Sequence, residues 1–266
     1  MVEITFLRHA ETEANAEGLW QGHSDAPLSK RGERQLRDLR QRLAGQEFDL
    51  VVSSDLGRCV TTASSLDLSA ETDPSWRELD IGHWEGLSRE QVAKRFPDEM
   101  TALARGKDPP IGGGETFGDF AARVDEAFEK LLGRLDDGDR ALVVTHGGPV
   151  HSVVSATLGF QGRGRPWPIG RIANTALTVL WIGEARQLLV LNDASHTDDA
   201  VKPSTDGTVL ALIRHAETEA NVAGRWQGLT DGPLTAAGCG QAKGLAGWYR
   251  GLDRLYTSPL SRARDT

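Results

Sequence analysis

Residues 2–15 read Val2-Glu3-Ile4-Thr5-Phe6-Leu7-Arg8-His9-Ala10-Glu11-Thr12-Glu13-Ala14-Asn15. Val2–Leu7 is an apolar run rich in β-formers, which predicts a buried strand, and Arg8-His9 follows at its carboxyl end. The octapeptide Arg8 to Asn15 recurs letter for letter as Arg214 to Asn221. The same 206-residue offset carries Trp20-Gln21-Gly22, Asp25, Pro27-Leu28 and Gly32 onto Trp226-Gln227-Gly228, Asp231, Pro233-Leu234 and Gly238. After a two-residue shortening, Asp49 and Arg58 align with Asp253 and Arg262. Such a match is a tandem duplication, whose second copy stops just past its second shared motif. The sequence therefore predicts a complete domain over 1–196, a polar Pro-Ser-containing linker over 197–206, and a truncated second copy over 207–266. Residues 1–206 hold 23 basic and 33 acidic side chains, net −10, while 207–266 hold 7 and 5, net +2.

Outward from the first strand, the pattern alternates. Ser29 caps a segment with Leu36, Leu39 and Leu43 on one face, stopping near Gly45. Leu50–Val52 is a short buried strand. Thr116–Leu135 places Phe117, Phe120, Val124, Phe128 and Leu131 at helical spacing. Ala141–Thr145 is strand, Pro149–Leu158 helix, and Thr175–Ile182 with Gln187–Leu191 two closing strands. Alternation of this kind predicts an α/β three-layer sandwich, a mostly parallel sheet flanked by helices on both faces.

Composition excludes several classes. The net charge of −8 argues against nucleic acid or an acidic membrane surface as partner. No apolar run approaches the roughly 18–20 residues of a membrane span, and the start lacks the pattern of a signal peptide. Two cysteines, Cys59 and Cys239, cannot make a disulfide framework, so a soluble cytoplasmic protein is expected. Neither cysteine has an arginine six residues on, and no phosphate-binding Gly-Lys loop, serine elbow or His-Glu-x-x-His pair occurs. The histidines do not stand at metal-ligand spacing, so neither metal nor cofactor is expected.

Three motifs fall at strand ends: Arg8-His9, Ser53 to Arg58, and His146-Gly147-Gly148. In a parallel sheet the carboxyl ends of strands share one edge, where reactive groups gather. An uncharged imidazole can attack phosphorus, and guanidinium forks match phosphate oxygens. The Gly147-Gly148 turn opens a helix, offering free N–H groups to an anion.

The arrangement resembles the histidine phosphatase superfamily, the phosphoglycerate-mutase-like group. The likeness rests on Leu7-Arg8-His9-Ala10-Glu11-Thr12 with Asn15, on Ser53-Ser54-Asp55-Leu56-Gly57-Arg58, and on Val144-Thr145-His146-Gly147-Gly148. Between them, Trp76 to Gly86 looks like the family's acid-bearing loop, and Gly113-Gly114-Glu115-Thr116 like the segment opening its next helix. This resemblance implies His9 as the phosphorylated nucleophile, with Arg8, Arg58 and His146 holding the phosphoryl group. It implies Glu78 as general acid and base, by its place in that loop, in preference to Glu85, the loop's other glutamate. Asn15 and Gly147 would complete the pocket, joined by Gln21 and Gly22 as substrate-binding positions. His23, His83, His151 and His196 read as surface or capping residues, the basic face from Lys30 to Arg42 as solvated, and Gly162 to Trp167 as a surface loop.

The expected activity is metal-independent hydrolysis of a small phosphorylated metabolite through phosphohistidine. A mutase of phosphoglycerate or a phosphosugar is the alternative. The family's mutases carry a longer basic insertion where Gly86 to Gly112 encloses only 25 residues, so the short form favours hydrolysis. A phospho-ligand binding module without catalysis would be expected to lose His9 or the acid, and both are present.

Overall fold

A computed structural model describes residues 1–160, 169–197, 210–248 and 253–266. The chain divides into two compact units, Met1–Lys202 and Pro203–Thr266. Residues 162–167 and 198–206, read above as a surface loop and most of the linker, lie outside the described residues.

The first unit runs β1 (Val2–Arg8), α1 (Glu13–Ala16), α2 (Lys30–Arg42), β2 (Leu50–Ser53), α3 (Gly57–Ser64), β3 (Glu71–Thr72), α4 (Arg89–Arg95), α5 (Pro97–Ala104), α6 (Phe117–Leu132), β4 (Arg140–Thr145), α7 (Gly147–Thr157), β5 (Leu177–Ile182) and β6 (Arg186–Asp193). The sheet order is β3-β2-β4-β1-β5-β6, with the first four strands parallel and the last two antiparallel. It is the expected mostly parallel, helix-flanked α/β sheet. β5 runs antiparallel to β1, and β6 is antiparallel to β5 because the two are joined by the tight turn at 183–185, which no parallel pair could use.

Side chains alternate across the sheet, so the two faces have separate cores. Ile4, Phe6 and Val143 pack with Phe120, Val124 and Phe128 of α6 and Val150, Val153 and Val154 of α7. Leu7, Leu142 and Val144 pack with Leu39 of α2 and Cys59 and Ala63 of α3 on the other face. Local signals set the helix starts: Ser29, Ser88 and Thr116 each accept a first-turn backbone N–H. The sequence pattern missed α1, which has only four residues, and β3, α3 and α5. β3 has two exposed residues, while α3 and α5 have eight each, too few for a helical period to stand out. The basic face of α2 is more than solvated, since Arg40 pairs with Asp67, Arg42 with Asp193 and Arg31 with Glu11.

The second unit has α8 (Glu219–Val222), α9 (Ala236–Trp248) and α10 (Ser261–Arg264), and no strand among its described residues. In the first unit β1 is held between β4 and β5, which lie far downstream. Among the described residues of the second unit nothing takes the place of either, so its strand-like residues find no ladder: Leu210, Leu212 and Leu255 are exposed.

Candidate active site

The ends of β1, β2 and β4 bring three motifs together as parallel strands must. His9 and His146 rings stand 5.1 Å apart edge to face, and both are buried. His9 Nδ1 lies 2.7 Å from Ala10 O. A carbonyl only accepts, so Nδ1 carries the proton and Nε2 keeps its lone pair. His146 has the opposite tautomer. Arg58 Nε–H donates to its Nδ1 at 3.2 Å, so Nε2 donates to Ser54 Oγ at 2.9 Å. Burial first, then the Arg8 and Arg58 charges, hold the His9 imidazole well below its ordinary range. Burial and Arg58 do the same to His146. Both rings are thus neutral near pH 7.

Arg8 is buried, with Nη1 on Ile172 O at 2.5 Å and Nε without an acceptor. Burial and the nearby Arg171, partly offset by Glu78, lower its guanidinium to about 10. Arg8, Arg58 and Arg171 make a concentration of positive charge suited to a dianion. Arg58 itself is largely engaged: besides His146, it donates to Ser24 O (2.9 Å), Asp25 Oδ1 (3.2 Å) and Gly22 O (2.6 Å). One of its five N–H groups is left for a ligand.

Glu78 spans the gap to the helix start. Its Oε2 accepts Gly148 N–H of α7 at 3.1 Å and its Oε1 accepts Leu79 N–H at 3.0 Å. A Cβ on Gly148 would collide with Glu78 Oε1 and press on Phe120, so a side chain there would push the carboxylate out of this position. Glu85 is used differently: its Oε1 takes His23 N–H at 2.5 Å and Ser24 N–H at 2.8 Å, pinning the loop that carries Gly22.

A cavity of about 880 Å³ opens at this edge, and Arg8, Asn15, Gln21, Glu78 and Gly147 line it. His9, Arg58, His146 and Gly22 are not in its lining; they stand behind it, His9 and His146 each one residue from a lining residue. Asn15 Oδ1 accepts Asn174 Nδ2–H at 3.1 Å. Gln21 accepts Thr12 Oγ1–H at 2.8 Å and donates to Ser24 O at 3.1 Å, which occupies its amide in the loop. Gly22 has no room for a side chain, with Ile81, Glu85 and the Leu79 carbonyl within 2.9 Å of a built Cβ.

Several contributors were not legible beforehand. His151 is buried and lines the cavity, its Nε2 2.9 Å from Gly170 O, so it is no surface residue. His23 holds Glu78 O at 2.9 Å. Arg123 of α6 grips Ser75 O, Arg77 O, Glu78 O and both oxygens of Glu115, fixing the acid-bearing loop. Asn174 Nδ2 also donates to His9 O, and the next residue, Thr175, sits at φ +56° while its N–H donates to Arg8 O. A β-branched residue there is strained, and the strain is spent on clamping the end of β1. Only Ser54, inside a quoted motif, carried a local signal.

The second unit repeats half of this network. Thr218 caps α8 and donates to Gln227 Oε1, as Thr12 does to Gln21. Arg262 donates to Gly228 O and Thr230 O, as Arg58 does to Gly22 and Ser24, and Ala216 N–H finds Thr266 Oγ1 as Ala10 N–H finds Thr62 Oγ1.

The family model described as "Histidine phosphatase superfamily (branch 1)" matches residues 4–194 and again 210–266. A relative from Arabidopsis thaliana, phosphoglycerate mutase-like protein 4, is 33% identical over 208 residues, covering 74% of this chain and 87% of its own. Among solved structures, a putative α-ribazole-5′-P phosphatase from Escherichia coli matches at TM-score 0.65 and 29% identity, covering 73% of this chain and 98% of its own. A mycobacterial glucosyl-3-phosphoglycerate phosphatase matches at TM-score 0.64 and 29% identity, covering 72% and 99%.

Proposed function

The chain belongs to the histidine phosphatase superfamily, and we propose that its first unit hydrolyses phosphomonoesters through a phosphohistidine on His9. The observation that carries this reading is a neutral His9 with Nε2 unprotonated, set among arginines beside a cavity that also holds Glu78. His9 Nε2 forms the N–P bond as the ester O–P bond breaks, and protonated Glu78 gives its proton to the leaving oxygen. Glu78, now a carboxylate, takes a proton from water, whose oxygen attacks phosphorus as the N–P bond breaks. Inorganic phosphate and the starting enzyme result. Arg8, Arg58, Asn15 and the Gly147 N–H hold the phosphoryl group, His146, with both ring nitrogens engaged, orients Arg58 beside the His9 ring, and Gln21 and Gly22 fix the loop beneath it. Guanidinium charge disperses the developing negative charge, so no metal enters any step.

Turnover belongs to residues 1–196, with 197–206 a linker and 207–266 a partial second copy. That copy holds Arg214, His215, Asn221 and Arg262 but no second His-Gly-Gly and no acid-bearing loop. The likeness to a mutase-like protein favours one second reading, transfer of the same phosphoryl group to an acceptor hydroxyl.

The test is a panel of phosphomonoesters with EDTA present, comparing wild type with His9→Ala. The expected result is turnover and an acid-labile phosphoenzyme in wild type, and neither in the variant. Retained turnover in His9→Ala overturns the reading. Transfer of label to an added sugar or glycerate in preference to water selects the mutase.

A further inference from the structure

Beyond its phosphate-facing end, the cavity changes character. Trp20, Leu79, Ile81, Met100, Leu103 and Phe117 wall it, drawn from the loop after α1, the acid-bearing loop, α5 and the first turn of α6. Trp20, Met100, Leu103 and Phe117 are only partly buried, so apolar surface is left facing the space. At about 880 Å³ the cavity lies near the upper end of the roughly 300–1,000 Å³ of small-molecule sites, far more than a phosphoryl group fills.

Charge is distributed unevenly around it. Arg171 belongs to the phosphate end, since it adjoins Ile172, whose carbonyl accepts from Arg8 Nη1. Arg89, at the start of α4, is exposed and already solvated. Among the described residues, a carboxylate on the body of a substrate would therefore lose its water against apolar walls with no buried cation to meet it.

The geometry points to a substrate whose alcohol part is large and mainly apolar, an aromatic or alicyclic ring system, with small anionic phosphates such as phosphoglycerates and phosphoamino acids disfavoured. This rests on the phosphomonoesterase reading for its chemistry, but its binding half can be measured apart. The first arm compares ethyl phosphate with 2-phenylethyl phosphate, which share a primary alkyl leaving oxygen and so differ in the body alone. The phenylethyl ester is expected to have at least a tenfold higher kcat/KM, the scale of burying one ring. The second arm uses calorimetry on the wild-type chain with non-hydrolysable propylphosphonate and 3-phenylpropylphosphonate. The aryl compound is expected to bind at least tenfold tighter, and 3-phosphonopropionate no tighter than propylphosphonate. Leu103→Asp, with Leu103→Ser as a milder second variant, should cut the aryl preference below threefold while leaving propylphosphonate affinity as it was. Equal binding of the two alkyl and aryl phosphonates overturns the substrate class, whatever the turnover. Tight aryl binding without turnover of any ester upholds the substrate class and overturns the hydrolase.

Discussion

Acidification from pH 7.5 to 5.5 tests the charge state on which His9 depends. The buried His9 and His146 are held well below their ordinary range by lost hydration and facing arginines, whereas in the unfolded chain both titrate near 6.5. Between those limits the unfolded state binds more protons than the folded one, so stability rises with pH. The neutral rings cost nothing well above pH 6.5, and the cost grows as pH falls below it. In the limit where neither ring takes up a proton by pH 5.5 in the folded protein, each forfeits a factor of ten. That is about 1.4 kcal/mol per ring and about 2.7 kcal/mol for the pair. His151, lowered chiefly by burial, adds a contribution of the same sign that both proteins share. The assay is urea unfolding at the two pH values, followed by tryptophan fluorescence, for wild type and the His9→Gln/His146→Gln double variant. Buried Trp76 and Trp84 report on the first unit. Wild type should lose about 2.7 kcal/mol more than the variant over the interval, whatever their absolute stabilities. An equal loss in both would refute the reasoning, because the rings would then carry protons in the folded state and His9 would have no lone pair at pH 5.5.

Three further outcomes are expected. Glu78→Gln should lower kcat/KM by roughly 10²–10⁴, most for alkyl phosphates with poor leaving groups, while Glu85→Gln loosens the His23–Ser24 loop with no leaving-group dependence; the reverse pattern moves the acid to Glu85. Gly148→Ala should displace Glu78 by steric collision and cut kcat by roughly tenfold to a hundredfold, and an unchanged kcat would show that the carboxylate is not used where it lies. His215→Ala should leave turnover as it is in wild type, and loss of a measurable share would mean that the second copy is completed by another chain.

Local pattern was sufficient wherever the physics is local. The apolar run Val2–Leu7, the Ser29 cap with its Leu39 and Leu43 face, and the Phe120–Val124–Phe128 stripe each declared an element, because strand and helix periods are properties of neighbouring residues. The exact recurrence of Arg8 to Asn15 pointed to a duplication, and the family model matches two segments of the chain; the strand-end motifs pointed to the family to which the chain belongs. Pattern could not order the strands or turn β5 and β6 antiparallel, since pairing joins residues up to 180 apart, as Val2 with Ile182. Nor could it separate Glu78 from Glu85, two carboxylates of one loop. The fold divides them by sending one to the first turn of α7 and the other to two backbone N–H groups of the Gly22 loop. Arg123, Asn174 and His151 had no local mark, because each acts on residues distant in sequence. The same physics decides the second copy. Its sequence repeats β1 and its caps, and the caps re-form because their partners lie within a few residues. No strand forms among the described residues 210–214, because a strand has no stability without neighbours, and in this fold the neighbours of β1 are supplied from more than 130 residues away.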